Sequence, residues 1–152
     1  METKTRILLA DADTDFGKLL GERLAAEGDM ELVGIASDGL EALAMVKERA
    51  PDVLLLDLVL PRIDGLELLR RLPETGRRCG VIVLSGFINS AVVSECATRG
   101  VSYFVPKPCD LAALLDRVAR SRACPRAGSP WRGSTVGRRP RRSGWMRSWS
   151  RR

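Results

Sequence analysis

The sequence predicts an α/β protein, a doubly wound five-stranded parallel sheet with helices on both faces. Three observations lead there. Short apolar runs of β type alternate five times with amphipathic stretches over the first 122 residues, the pattern that covers a parallel sheet with helices. The runs are nearly continuous in their apolar character, as strands buried on both faces must be. The chain, 152 residues long, also suits a single core, which typically takes about 100–150 residues.

Taken in order, the first strand spans residues 6–10 and stops where Asp11 interrupts the apolar run. A helix follows over 14–27, opened by Asp13 or Thr14 as cap and closed at Gly28. The second strand and helix occupy 31–36 and 39–49, and the third pair 52–57 and 63–72, the strand ending at Asp57. Residues 80–85 form the fourth strand, ending in Ser85-Gly86; its helix runs over 89–99 and closes at Gly100. The fifth strand, 102–106, leads into Lys107-Pro108 and a helix over 110–120 capped by Asp110. Right-handed crossovers leave few strand orders for such a chain, and the flavodoxin-like order 2-1-3-4-5 is the one expected.

Charge is distributed unevenly. The formal net charge is +6, yet all 19 acidic residues precede Cys124 and nine arginines follow it. The first 123 residues therefore carry 16 basic against 19 acidic groups, a net of −3. An argument from charge to nucleic acid concerns the tail alone. That tail, 123–152, is rich in Arg, Gly, Ser, Pro and Trp, and from Cys124 on it lacks Leu, Ile, Asp, Glu and Lys. It cannot bury enough apolar surface to offset its chain entropy, so disorder is expected. Its composition also resembles the product of a shifted reading frame through high-GC coding sequence.

The chain has no histidine, which removes the commonest general base and every Ser-His or Cys-His pair. Cysteines 79, 96, 109 and 124 show no Cys-x-x-Cys spacing for a soft metal or a redox pair. A reducing, cytoplasmic setting is expected. No apolar stretch approaches the ~20 residues that span a bilayer, so no membrane partner is expected. Chemistry must run on carboxylates, hydroxyls or lysine.

In a doubly wound sheet a site forms beyond the carboxyl ends of the strands, near the switch point in chain order. The predicted strand ends bring Asp11 and Asp13, Asp57, Ser85 and Lys107 to that crevice. The stretch from Asp57 through Val59, Pro61 and Asp64 to Gly65, the triplet Leu84-Ser85-Gly86, and the run Tyr103-Phe104-Val105-Pro106-Lys107-Pro108 together resemble the receiver domains of bacterial response regulators, over residues 4–122. Shorter words, Asp29-Met30-Glu31-Leu32-Val33-Gly34 and Gly100-Val101-Ser102-Tyr103-Phe104, resemble the receiver half of stage-zero sporulation regulators of the A type.

That resemblance implies a CheY-like fold and a phosphorylation switch rather than a turnover enzyme. It makes Asp57 the phosphoacceptor, Lys107 the cation that meets the phosphoryl oxygens, Ser85 the switch hydroxyl and Phe104 the aromatic readout. It implies magnesium or another divalent cation on Asp11, Asp57 and the Val59 carbonyl, with Pro61 and Gly65 shaping the loop and Pro108 forming a cis peptide with Lys107. Implied partners are a sensor histidine kinase or histidine phosphotransferase, with phosphorylation-dependent homodimerisation and a transcriptional, sporulation-type output. One departure stands out: the family usually carries two adjacent acids after the first strand, and here the second place is Ala12. Asp13 is a further candidate metal ligand, although it suits a helix cap equally well, as does Asp64.

Other readings fit less well. Tail arginines 138, 139, 141 and 142 near Trp131, Trp145 and Trp149 could hold nucleic-acid phosphates and stack on bases, but the tail has no apolar periodicity for a folded DNA-binding unit. A haloacid-dehalogenase-type phosphatase needs a second acid two residues after its nucleophile, where this chain has Val59. A flavin site would need Gly, Ser and Thr in the first loop, which is acidic instead.

Overall fold

The computed structural model describes residues 3–86 and 89–122; the expected disorder of 123–152 falls outside the described residues. Five strands, β1 Thr5–Ala10, β2 Met30–Ala36, β3 Val53–Asp57, β4 Gly80–Ser85 and β5 Tyr103–Pro106, alternate with α1 Thr14–Ala26, α2 Gly39–Arg49, α3 Gly65–Arg71, α4 Ser90–Thr98 and α5 Leu111–Arg122. All strand pairs are parallel and the order is β2-β1-β3-β4-β5, as the crossover argument predicts.

Strand parity divides the core in two. Ile7 and Leu9 of β1 and Leu55 of β3 point to one face, where Leu20 and Leu24 of α1 and Leu114 and Val118 of α5 cover them. Leu8, Leu54 and Leu56 point to the other, against Ala42 and Val46 of α2, Leu68 and Leu69 of α3 and Cys96 of α4. Each such leucine is fully buried and stabilises the fold by roughly 1.5–3 kcal/mol in transfer terms. Among the described residues no helix is long and apolar enough to cross a membrane.

Element ends depart from the predicted ones for local reasons. β1 and β2 each begin one residue early, where the Thr5 amide donates to the Asp29 carbonyl at 2.8 Å. β3 begins one residue late, at Val53; Asp52, just before it, accepts the Arg6 amide on its carboxylate at 2.9 Å and donates its own amide to the Arg6 carbonyl at 2.8 Å. α3 starts two residues after the apolar pattern does. Asp64 caps it by accepting from the Glu67 amide at 2.8 Å, and Pro73, lacking an N–H, accompanies a change to a 3-10 turn over Leu72–Thr75. α5 runs on to Arg122.

Candidate functional site

Register places the site. Ala10, last in β1, lies beside Leu56; Asp57, last in β3, lies beside Leu84; Ser85, last in β4, lies beside Pro106. Asp11 and Lys107 each stand one residue beyond a strand end. Four consecutive strand ends thus meet on one edge.

Asp11 is only 2 % exposed, so both its oxygens need partners. One accepts the Asp13 amide at 2.8 Å, and the other accepts the Lys107 ammonium. Asp57 repeats the arrangement: Oδ1 accepts the Val59 amide at 2.9 Å and Oδ2 accepts Lys107 Nζ at 2.9 Å. Lys107 therefore bridges two carboxylates from different strands. Its backbone amide donates to the Ser85 carbonyl at 3.1 Å, which ties it to β4, and its peptide bond to Pro108 is cis. Partial burial works to lower the Lys107 pKa, but the hydrogen bonds and charges of Asp11 and Asp57 outweigh it and hold the group above the ordinary lysine value.

Asp13 serves a different purpose at this edge. Its Oδ1 accepts from the amides of Asp15 and Phe16, at 3.0 and 3.2 Å, and so caps α1. Phe16, on which the sequence pattern laid no emphasis, lies with its ring centroid 5.3 Å from Lys107 Nζ. An apolar residue in a first helical turn carries no mark of function; only the fold brings it to β5.

The loop after Asp57 is held from two sides. The Gly65 amide donates to the Leu58 carbonyl at 2.9 Å, and the Gly39 amide to the Pro61 carbonyl at 3.3 Å. Arg62 adopts φ +68°, unusual for a side-chain-bearing residue, and its Nε lies 3.6 Å from Asp38, the cap of α2. Val59 is 69 % exposed at the rim. Ser85 is buried at the end of β4, and Phe104, beside Val83 in β5, is packed inside the core on the α2–α4 face.

Magnesium prefers hard oxygen ligands and keeps several waters. Asp11 and Asp57 are donors of that kind, two carboxylates close enough to share one ammonium. The donor set fits a hard divalent cation. It is sparse, because Ala12 supplies no carboxylate and Asp13 spends an oxygen on the cap; among the described residues no three acids, cysteines or histidines group around a metal position. Burial pushes the core thiols Cys79 up to about 12 and Cys96 up to about 11, and raises that of Cys109, two residues after Lys107, above the ordinary value.

The model of the response regulator receiver domain matches residues 7–119. Among solved structures, the response regulator domain of Thermotoga maritima CheB is similar at 26 % identity and TM-score 0.72, over 78 % of this chain and 96 % of that one. The REC domain of AraT, a response regulator from Geobacillus stearothermophilus, is 31 % identical with TM-score 0.69, over 80 % and 94 %. The putative response regulator NarL of Mycobacterium tuberculosis matches through its signal receiver domain at 27 % identity and TM-score 0.69, over 77 % and 98 %. The fold, the edge on which the carboxylates gather and the family match agree, and the chain belongs to the response regulator receiver domain family.

Proposed function

We propose that Asp57 accepts a phosphoryl group from a phosphohistidine, on a sensor histidine kinase or a histidine phosphotransferase, and that the acyl phosphate switches the conformation of the domain. The observation that carries this reading is Lys107 Nζ, 2.9 Å from Asp57 and hydrogen-bonded also to Asp11. A carboxylate attacking a phosphoryl group meets charge repulsion, and a fixed cation at the attacking group offsets it. An oxygen of Asp57 forms the new bond to phosphorus, the phosphorus–nitrogen bond breaks, and its electron pair leaves with the imidazole. The Val59 amide and Lys107 hold the carboxylate in place, and Lys107 then pairs with the phosphoryl oxygens. A divalent cation supplies neutralisation of those oxygens when bound.

The Ser85 hydroxyl donates to a phosphoryl oxygen, drawing in the segment after β4, and Phe104 repacks as the readout. Support for these two roles is the hydrogen bond from the Lys107 amide to the Ser85 carbonyl and the place of Phe104 in β5, three residues before Lys107. Downstream, the sporulation-type transcriptional output and the phosphorylation-dependent homodimer rest on the sequence words at 29–34 and 100–104; DNA contact by the arginine tail is an alternative output, outside the described residues.

Incubation with acetyl phosphate and magnesium tests the reading. Intact mass should rise by one phosphoryl group, and peptide mapping should place it on Asp57. Absence of label, or label elsewhere, would overturn it.

The sparse donor set gives a separate expectation. Magnesium affinity, followed by titration of a fluorophore near the site, should be weak in the wild type and tighten about tenfold, or 1.4 kcal/mol, in Ala12→Asp. Asp13→Asn should change it little, since asparagine caps a helix as well as aspartate does. Loss of affinity in Asp13→Asn would instead make Asp13 a ligand.

A further inference from the structure

Phe16 and Lys107, 91 positions apart in the sequence, meet at the site. The Phe16 ring centroid is 5.3 Å from Lys107 Nζ, inside the ~6 Å range in which an aromatic face attracts a cation. A short relay holds the Phe16 backbone. Asp11 accepts the Asp13 amide at 2.8 Å, Asp13 accepts the Phe16 amide at 3.2 Å, and the ring packs against the core under α1 and α5. Lys107 closes the circuit by donating back to Asp11.

We infer that Phe16 is a positioning residue for Lys107, its ring confining the ammonium to the side where Asp57 and Asp11 lie, and that Asp13 acts in the site through this ring. An ammonium has three donors on a flexible four-carbon stem. Two of them are taken by carboxylates here. A ring face attracts the charge without accepting strongly, so it narrows the rotamers of the stem while leaving the ammonium able to follow incoming oxygens. A carboxylate in the same place would compete for the ammonium; water would let the stem wander. The capped first turn of α1 thereby becomes part of the machinery, through a residue that touches no phosphoryl oxygen.

The inference rests on the reading of Lys107 as the partner of the phosphoryl group, and two measurements separate the failures. Phe16→Leu keeps most of the apolar area and removes the ring; Phe16→Tyr keeps the ring. With acetyl phosphate and magnesium, the full chain carrying Phe16→Leu should label Asp57 about three- to tenfold more slowly, while Phe16→Tyr labels at the wild-type rate and both keep their melting temperatures within a few degrees. Independently of labelling, NMR relaxation of the Lys107 Cε group should report a lower order parameter in Phe16→Leu and the wild-type value in Phe16→Tyr. Wild-type labelling and wild-type order in Phe16→Leu would overturn the inference, as would a Phe16→Tyr chain that falls as far as Phe16→Leu. If the wild type takes no phosphate, the phosphoacceptor reading fails, and the relaxation data alone then decide whether Phe16 positions Lys107. Should Phe16→Leu melt early, Phe16→Met, with its flexible stem, replaces it under the same criteria.

Discussion

Phosphate should not attach to a chain carrying Asp57→Asn, and it should attach to Lys107→Ala about 10²–10³-fold more slowly than to the wild type. The two losses differ in kind. An asparagine at 57 keeps an oxygen to accept the Val59 amide, so the β3 end should stay in place; what disappears is the anionic nucleophile. Removing Lys107 leaves the nucleophile but takes away the cation hydrogen-bonded to Asp57 and Asp11 at once. Asp11, 2 % exposed, would then face a second carboxylate with one oxygen unpaired. Breaking a fully buried pair costs about 3–5 kcal/mol, and the partial exposure of Lys107 reduces the expected destabilisation to about 2 kcal/mol. The sign with pH follows from the raised Lys107 pKa. Its contribution is fully present below the unfolded value of about 10.4 and is lost only as pH rises through the higher folded value. Urea melts of wild type and Lys107→Ala should therefore differ by a constant amount, as far as Lys107 titration is concerned, from neutral pH to about pH 9. Lys107→Ala labelling at the wild-type rate would show that the ammonium has no part in the chemistry.

Much of this edge could be read from the amino-acid order, because parallel strands buried on both faces leave their first polar residues at the ends. Asp11, Asp57 and Lys107 are the residues at which three apolar runs stop, and the doubly wound topology then brings those stops together. The strand ends were accordingly within one residue of the predicted ones. Other features were illegible for physical reasons. Aspartate after a strand serves equally as cap or ligand, so only coordinates could show Asp13 capping α1. Phe16 is marked by nothing except its apolar character, which the core explains as well; its contact with Lys107 joins α1 to the segment after β5. The late start of α3 follows from Asp64 capping it, which leaves Ile63 in the loop where it lies close to Gly39, a separate part of the chain. Ala12, by contrast, was visible at once, since a missing carboxylate needs no geometry to be noticed.

Gly65→Ala should both destabilise the fold and slow labelling, because the glycine lies against the backbone of Asp57 and Leu58. A Cβ there would stand 2.6 Å from Leu58 Cα and 2.8 Å from the Asp57 carbonyl oxygen. Neither is the free end of a side chain. Either α3 retreats, breaking the hydrogen bond from the Gly65 amide to Leu58, or Leu58 yields and carries Asp57 away from Lys107. Overpacking of this kind costs about 1–3 kcal/mol. Gly39→Ala presses the same loop from α2, with its Cβ 2.3 Å from the Ile63 carbonyl oxygen, and should act alike. Because both substitutions strain residues 58–64, their effects should not add. Gly76 supplies the control: its φ is +69° but nothing lies within 4 Å of its Cβ position, so Gly76→Ala should cost about 1 kcal/mol through backbone strain and leave the labelling rate unchanged. A Gly65→Ala chain that loses stability as Gly76→Ala does, yet labels as fast as the wild type, would mean that the placement of this loop does not govern the reactivity of Asp57. The distances around Gly65 predict the opposite, since the displaced atoms are the Asp57 carbonyl and the Cα that follows it.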